Sequence, residues 1–111
     1  MLTIDELVEF CGATAVVVPD PGVEVTGCYT SDLLSDVMAN APEDCVLVTV
    51  QNHRNTVAVA TLVGALVIMV CHDREIPEEM ITAASNEGVA ILKTPLNQYH
   101  TSARIYRAFG S

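Results

Sequence analysis

Two short segments hold most of the groups able to do chemistry. One is Gln51-Asn52-His53-Arg54-Asn55 and the other is Cys71-His72-Asp73-Arg74. Thr30-Ser31-Asp32 and Thr94 add hydroxyls and a carboxylate. These groups follow apolar, β-branched runs of strand type, so they should open on one edge of a sheet, where open α/β folds bind ligands. Arg54 and Arg74 suit charge pairing with an anion, and helix N termini at Ser31 and Asn55 would donate N–H groups. The candidate ligand-binding set is therefore Thr30, Ser31, Asp32, Asn52, His53, Arg54, Asn55, His72, Asp73, Arg74 and Thr94. The ligand class is a small anionic or nucleotide-like molecule. The same residue types also serve local ends, Asn55 as a helix cap and Asp73 with Arg74 as a surface pair.

A metal is the second chemistry these segments suggest. Cys71, His72 and His53, with Cys28 as a further donor, are the types that hold zinc or iron. The adjacent pair Cys71-His72 is an awkward chelate, because neighbouring side chains on extended chain point apart. No C-x-x-C clamp is present. Catalysis has weaker support. Cys71 with His72 or His53 makes a nucleophile pair on paper, but no orienting group or oxyanion hole accompanies it. No G-x-x-x-x-G-K loop occurs, so a nucleotide hydrolase or kinase signature is missing. Asp32 and Asp36, four apart on one helix, read as a solvated edge. The expectation is a non-enzymatic protein with no assigned cofactor.

Composition narrows the partners. The 111 residues carry 14 acidic and 5 basic side chains, a net charge of −9. Such a surface does not suit nucleic-acid backbones or anionic membranes, which demand Lys and Arg. Half the residues are apolar, enough for a buried core. The longest apolar run, residues 57–71, contains Gly64 and falls short of the roughly 20 residues that span a bilayer. The first residues lack a basic region and bring acids early, so a cytoplasmic location is expected. In that setting the four cysteines read as buried thiols rather than a disulfide framework.

The elements that must position these groups follow from punctuation and period. Thr3 and Glu6 form a capping box for a helix that ends at Gly12. Residues 13–18 read as a strand, Pro19 to Gly22 as a turn and residues 23–29 as a second strand. A helix opens at Thr30-Ser31-Asp32 with Leu33, Leu34, Val37 and Met38 as its stripe. Strand 45–50, helix 55–63 and strand 66–70 come next. The helix is apolar nearly all round, so it is expected to be the most buried or to form a dimer interface. Pro77 opens a helix as its first residue, Gly88 closes it, and residues 89–92 form the last strand. Asn97 caps the final helix, whose inner stripe is expected at Tyr99, Ser102, Ala103 and Tyr106 with Ile105 or Phe109. The order α-β-β-α-β-α-β-α-β-α predicts a single α/β domain over residues 1–111, three-layered α/β/α. Its central sheet should have four or five mainly parallel strands.

From about Gly27 onward the chain resembles the DRTGG domain family, related to the N-terminal domain of HPr kinase/phosphorylase. Tyr29 to Met38 looks like that family's strand-to-helix entry. Arg54 stands where its Asp-Arg pair lies. Ile76 to Ile81 with Asn86 to Leu92 resembles the following helix and strand, and Thr94 to Ala103 the final loop and helix entry. The family's Thr-Gly-Gly after the fourth strand appears as Val70-Cys71-His72, which removes two glycines from the place a backbone could approach a phosphate. The resemblance implies a small stand-alone regulatory or ligand-sensing module, and the apolar helix 55–63 adds the expectation of a homodimer. Because some such versions lie near hydrogenase-type redox genes, it also implies an accessory role with a metal or iron-sulfur cluster. A protein partner, or a purely structural dimerisation module, completes the set.

Overall fold

The computed structural model describes residues 1–110. Twelve elements alternate along them: β1 (Leu2–Thr3), α1 (Ile4–Cys11), β2 (Thr14–Val17), β3 (Glu24–Val25), β4 (Gly27–Thr30), α2 (Leu34–Asn40), β5 (Cys45–Thr49), α3 (Arg54–Val63), β6 (Val67–Val70), α4 (Glu78–Glu87), β7 (Ala90–Lys93) and α5 (Gln98–Phe109). The main sheet has five strands in the order β2-β7-β6-β5-β4. All neighbours are parallel except β2, which runs antiparallel to β7. A small antiparallel sheet pairs β1 with β3. The fold is α/β with three layers.

Alternation along the central strands builds two cores. Val46, Val48, Val67, Met69, Ala90 and Leu92 face α1 and α5, meeting Leu7, Cys11, Ile105 and Ala108. Cys45, Ile68, Val70 and Ile91 face the other way, meeting Val57, Ala60, Met80 and Ala84 of α3 and α4. Both faces of β5 and β6 are therefore covered, which is why their sequences are apolar at every position except Thr49 at the end of β5.

The structure departs from the expectations at several points. The segment 23–29 is two strands, not one. Thr26 breaks it, donating its N–H to the Asp44 carbonyl at 2.9 Å, and Glu24–Val25 turns away to pair with Leu2–Thr3. The helix expected from Thr30 starts only at Leu34, because the Ser31 N–H extends the ladder to Val48 O at 3.1 Å. Pro77 is the cap of α4 rather than its first residue. The helix α3 buries only Thr56, Val57 and Ala60, and Leu62 is 69% exposed, so it is not the most buried helix. The inner stripe of α5 is Thr101, Ile105 and Ala108, while Tyr99 and Tyr106 point outward.

Candidate functional site

Four loops open at the carboxyl ends of the parallel strands, after β4, β5, β6 and β7, and they are tied to one another. Asp32 is the hub. Its Oδ1 accepts from the Thr49 hydroxyl at 3.0 Å, the Val50 N–H at 2.8 Å and the Gln98 amide at 2.9 Å. Its carbonyl accepts from the Gln51 amide at 2.8 Å. Asp32 thus joins the β4 loop, the β5 loop and the start of α5. Its place at the carboxyl edge of the sheet was legible in the sequence; its use as a structural acceptor was not. Gln51 and Gln98, the partners that sequence reasoning missed, carried no signal beyond their places beside a strand end and a helix start.

The two chemistry-rich segments are also joined. The Arg74 guanidinium donates to Val50 O at 2.7 Å, and the Asn52 amide donates to Glu75 O at 2.7 Å. Asn52, His53, Arg54 and Asn55 therefore sit beside His72, Asp73 and Arg74, and all but Asn52 are exposed. His53 is the N-cap of α3, with Arg54 and Asn55 in its first turn, so Asn55 is not the cap. Among the described residues the N-cap side chains of α2, α3 and α4 make no capping hydrogen bond, whereas α1 and α5 are capped by Thr3 and Asn97. Uncapped helix starts leave N–H groups and a positive dipole end open to an anion.

Other candidates are placed elsewhere. Thr94 is fully buried, donating its hydroxyl to Cys11 O at 2.7 Å, so it fastens α1 to the β7 loop. The Thr30 hydroxyl lies 2.6 Å from that of Ser102 and ties β4 to α5. Ser31 accepts from the Leu33 N–H at 3.2 Å. The Ser31 hydroxyl, with bonds from Tyr29 and Asn40, holds the Asp36 carboxyl below the usual carboxylate range. The metal set is not assembled. Cys71 is fully buried and its thiol lies 3.6 Å from the Thr101 hydroxyl, within the core, while His72 and His53 are at the surface. Among the described residues no three His, Cys, Asp or Glu side chains are grouped to hold an ion. Nor is any helix long and apolar enough to cross a membrane.

The chain matches no protein-family model and none of the curated proteins. A solved structure does resemble it. This is the crystal structure of the CBS and DRTGG domains of the regulatory region of Clostridium perfringens pyrophosphatase, complexed with its activator, diadenosine tetraphosphate. The TM-score is 0.75 at 14% identity, covering 93% of this chain and 45% of that one. The likeness is one of fold. The pyrophosphatase segment is regulatory, and it includes a domain of the type the sequence resembles.

On this shared fold the loop after β6 has an unusual backbone. His72 and Asp73 have φ of 62° and 51°, two successive left-handed residues that are not glycine. The pair falls one residue later than the Cys71-His72 pair singled out in the sequence. The turn lets the N–H groups of His72 and Asp73 donate to Leu96 O and Thr94 O at 2.9 and 2.8 Å, closing the β6 loop onto the β7 loop. Asp73 also meets Lys93 at 3.6 Å, an exposed contact of small energetic weight. His72→Val is expected to cost about 2 kcal/mol, since a β-branched residue resists this region, whereas His72→Gly should be neutral or stabilising by up to about 1 kcal/mol. Urea denaturation of both variants checks this. A destabilised His72→Gly would mean that the imidazole makes an interaction of its own.

Proposed function

We propose that this chain is a non-enzymatic regulatory module of DRTGG type, acting in the cytoplasm as a homodimer that senses a small anionic or nucleotide-like ligand. The observation that carries the reading is the carboxyl edge. There α3 and α4 begin without side-chain caps, beside Arg54, Arg74, His53 and His72. Anionic groups are favoured at such helix starts, and arginine adds charge-assisted hydrogen bonds. Asp32 is directed at protein donors. Asp73 and Glu75 flank Arg74, and Glu78 and Glu79 stand in the first turn of α4. The start of α3, which has no acidic residue in its first turn, is therefore the more favourable of the two for an anion. The fold likeness to a nucleotide-activated regulatory region supports the ligand class.

Thermal-shift titration with ATP, a dinucleoside tetraphosphate and inorganic phosphate tests the proposal. A ligand at a hundred times its Kd stabilises by about 2.7 kcal/mol, a shift of several degrees in a domain of this size. Arg54→Ala should abolish most of that shift while leaving the unliganded melting temperature within about 2 °C, because Arg54 is exposed. No shift with any of the three compounds would leave a purely structural module.

A further inference from the structure

We propose that two copies of this chain meet through the outer face of α5, continued by the open edge of β4. This rests on the homodimeric part of the reading above and moves the interface away from α3. Tyr99 and Tyr106 are 76% and 83% exposed, on the side of α5 opposite Thr101, Ile105 and Ala108. With Ser102, Ala103, Arg107 and Gly110 they line an open concavity of about 800 Å³. A surface helix ordinarily turns its polar side outward. This one turns out two aromatics seven residues apart with small residues between them.

That spacing is self-complementary. If two α5 helices cross antiparallel about the midpoint of Ser102 and Ala103, Tyr99 meets the partner's Tyr106 and each small residue meets the other. A twofold interface requires one patch to fit itself in this way. Tyrosine and arginine are also the side chains that dominate interface cores.

Charge selects the same face. A chain with net charge −9 repels its own copy. No acidic side chain follows Glu87, however, while Lys93, Arg104 and Arg107 do. Contact through α5 brings together two copies of a helix that carries no carboxylate of its own, with Asp32 and Asp36 nearby engaged by Gln98 and Tyr29. Size is sufficient only if the sheet edge takes part. The two tyrosines offer roughly 300 Å² between them, against the roughly 600 to 1,000 Å² each partner of a stable dimer buries. β4 supplies the continuation: it ends the sheet, carries no charge and is joined to the helix by the Thr30–Ser102 contact. The opposite edge strand, β2, is irregular between Ala15 and Val17, a device that blunts pairing.

Light scattering after size exclusion, at loading concentrations up to about 200 µM, should give a mass near 24 kDa, twice the 11.9 kDa chain. Tyr106→Glu should weaken the dimer at least tenfold and return 11.9 kDa species that still melt cooperatively as a folded domain, because the side chain is exposed, with a melting temperature lowered only by the lost association. Leu62→Glu on α3 should leave the dimer intact. Ala103→Cys, close to the twofold, should form a disulfide-linked dimer under mild oxidation. A monomeric wild type, a dimeric Tyr106→Glu or a monomeric Leu62→Glu overturns the proposal, as does binding of this face only to a different protein. A monomer that still responds to nucleotide defeats this inference and leaves the sensing role standing; a dimer with no response does the reverse.

Discussion

Asp32→Ala is expected to lower the unfolding free energy by about 3 kcal/mol. One carboxylate oxygen receives a hydroxyl, a backbone N–H and a side-chain amide, from Thr49, Val50 and Gln98. Hydrogen bonds to an ionised acceptor contribute about 1.5 to 3 kcal/mol each, and partly buried donors left without a partner add to the loss. Water can reach part of the site, since Asp32 itself is half-buried, which keeps the figure below the simple sum. Asp32→Asn keeps one acceptor of the same shape and should lose about half as much. Gln98→Ala removes one donor and should cost about 1 kcal/mol. Urea denaturation at neutral pH ranks the three. A loss under about 1 kcal/mol for Asp32→Ala would mean that the loops hold together without their hub.

Alkali should unfold this protein well before it would a cysteine-free relative. Burial pushes the Cys28 thiol up to about 12, and the Cys11 and Cys45 thiols up to about 11. Burial raises Cys71 as well. In the unfolded chain thiols titrate near 8.5. Above about pH 8 the unfolded state releases protons that the folded state retains, so stability falls as pH rises, up to the folded values near 11. Each thiol contributes a slope of at most about 1.4 kcal/mol per pH unit, so several kcal/mol should be lost between about pH 8 and pH 10. Urea midpoints at the two pH values measure the loss, and Cys45→Ala, which removes one of the four raised thiols, should flatten the slope by about a quarter. An unchanged wild-type midpoint would show that these thiols titrate in the folded chain as they do unfolded.

Those two effects rest on features of unequal legibility. The thiols read as buried because no disulfide framework is expected, and three of the four are buried, with Cys28 half-buried. The strands β5 and β6 were legible because a strand covered on both faces reads as a nearly continuous apolar run, broken here only by Thr49, and their alternation with helices fixes where the loops open. Asp32 could be placed at that edge, but its three donors arrive from residues 49, 50 and 98, and spacing does not encode them. The α5 stripe misled because aromatic residues were expected inside. The space against α1 and the sheet admits smaller residues instead, and Thr101 tolerates burial by returning its hydroxyl to Asn97 O at 2.7 Å. The split of residues 23–29 depends on one long-range bond from Thr26 to Asp44, which period-two alternation cannot show.

The antiparallel edge strand has a consequence in time rather than in energy. Thr14 pairs with Lys93, and Ala15 with Leu92. Helix α1 packs beside α5, with Leu7 and Cys11 in the same core as Ile105 and Ala108. Helix α1 and strand β2 therefore dock on α5 and β7, elements far later in the sequence. Contacts spanning that much sequence form slowly, because the loop must close before they repay its entropy. During synthesis the β5–α3–β6 unit can assemble while α1 and β2 wait, their apolar faces uncovered, until β7 and α5 have emerged.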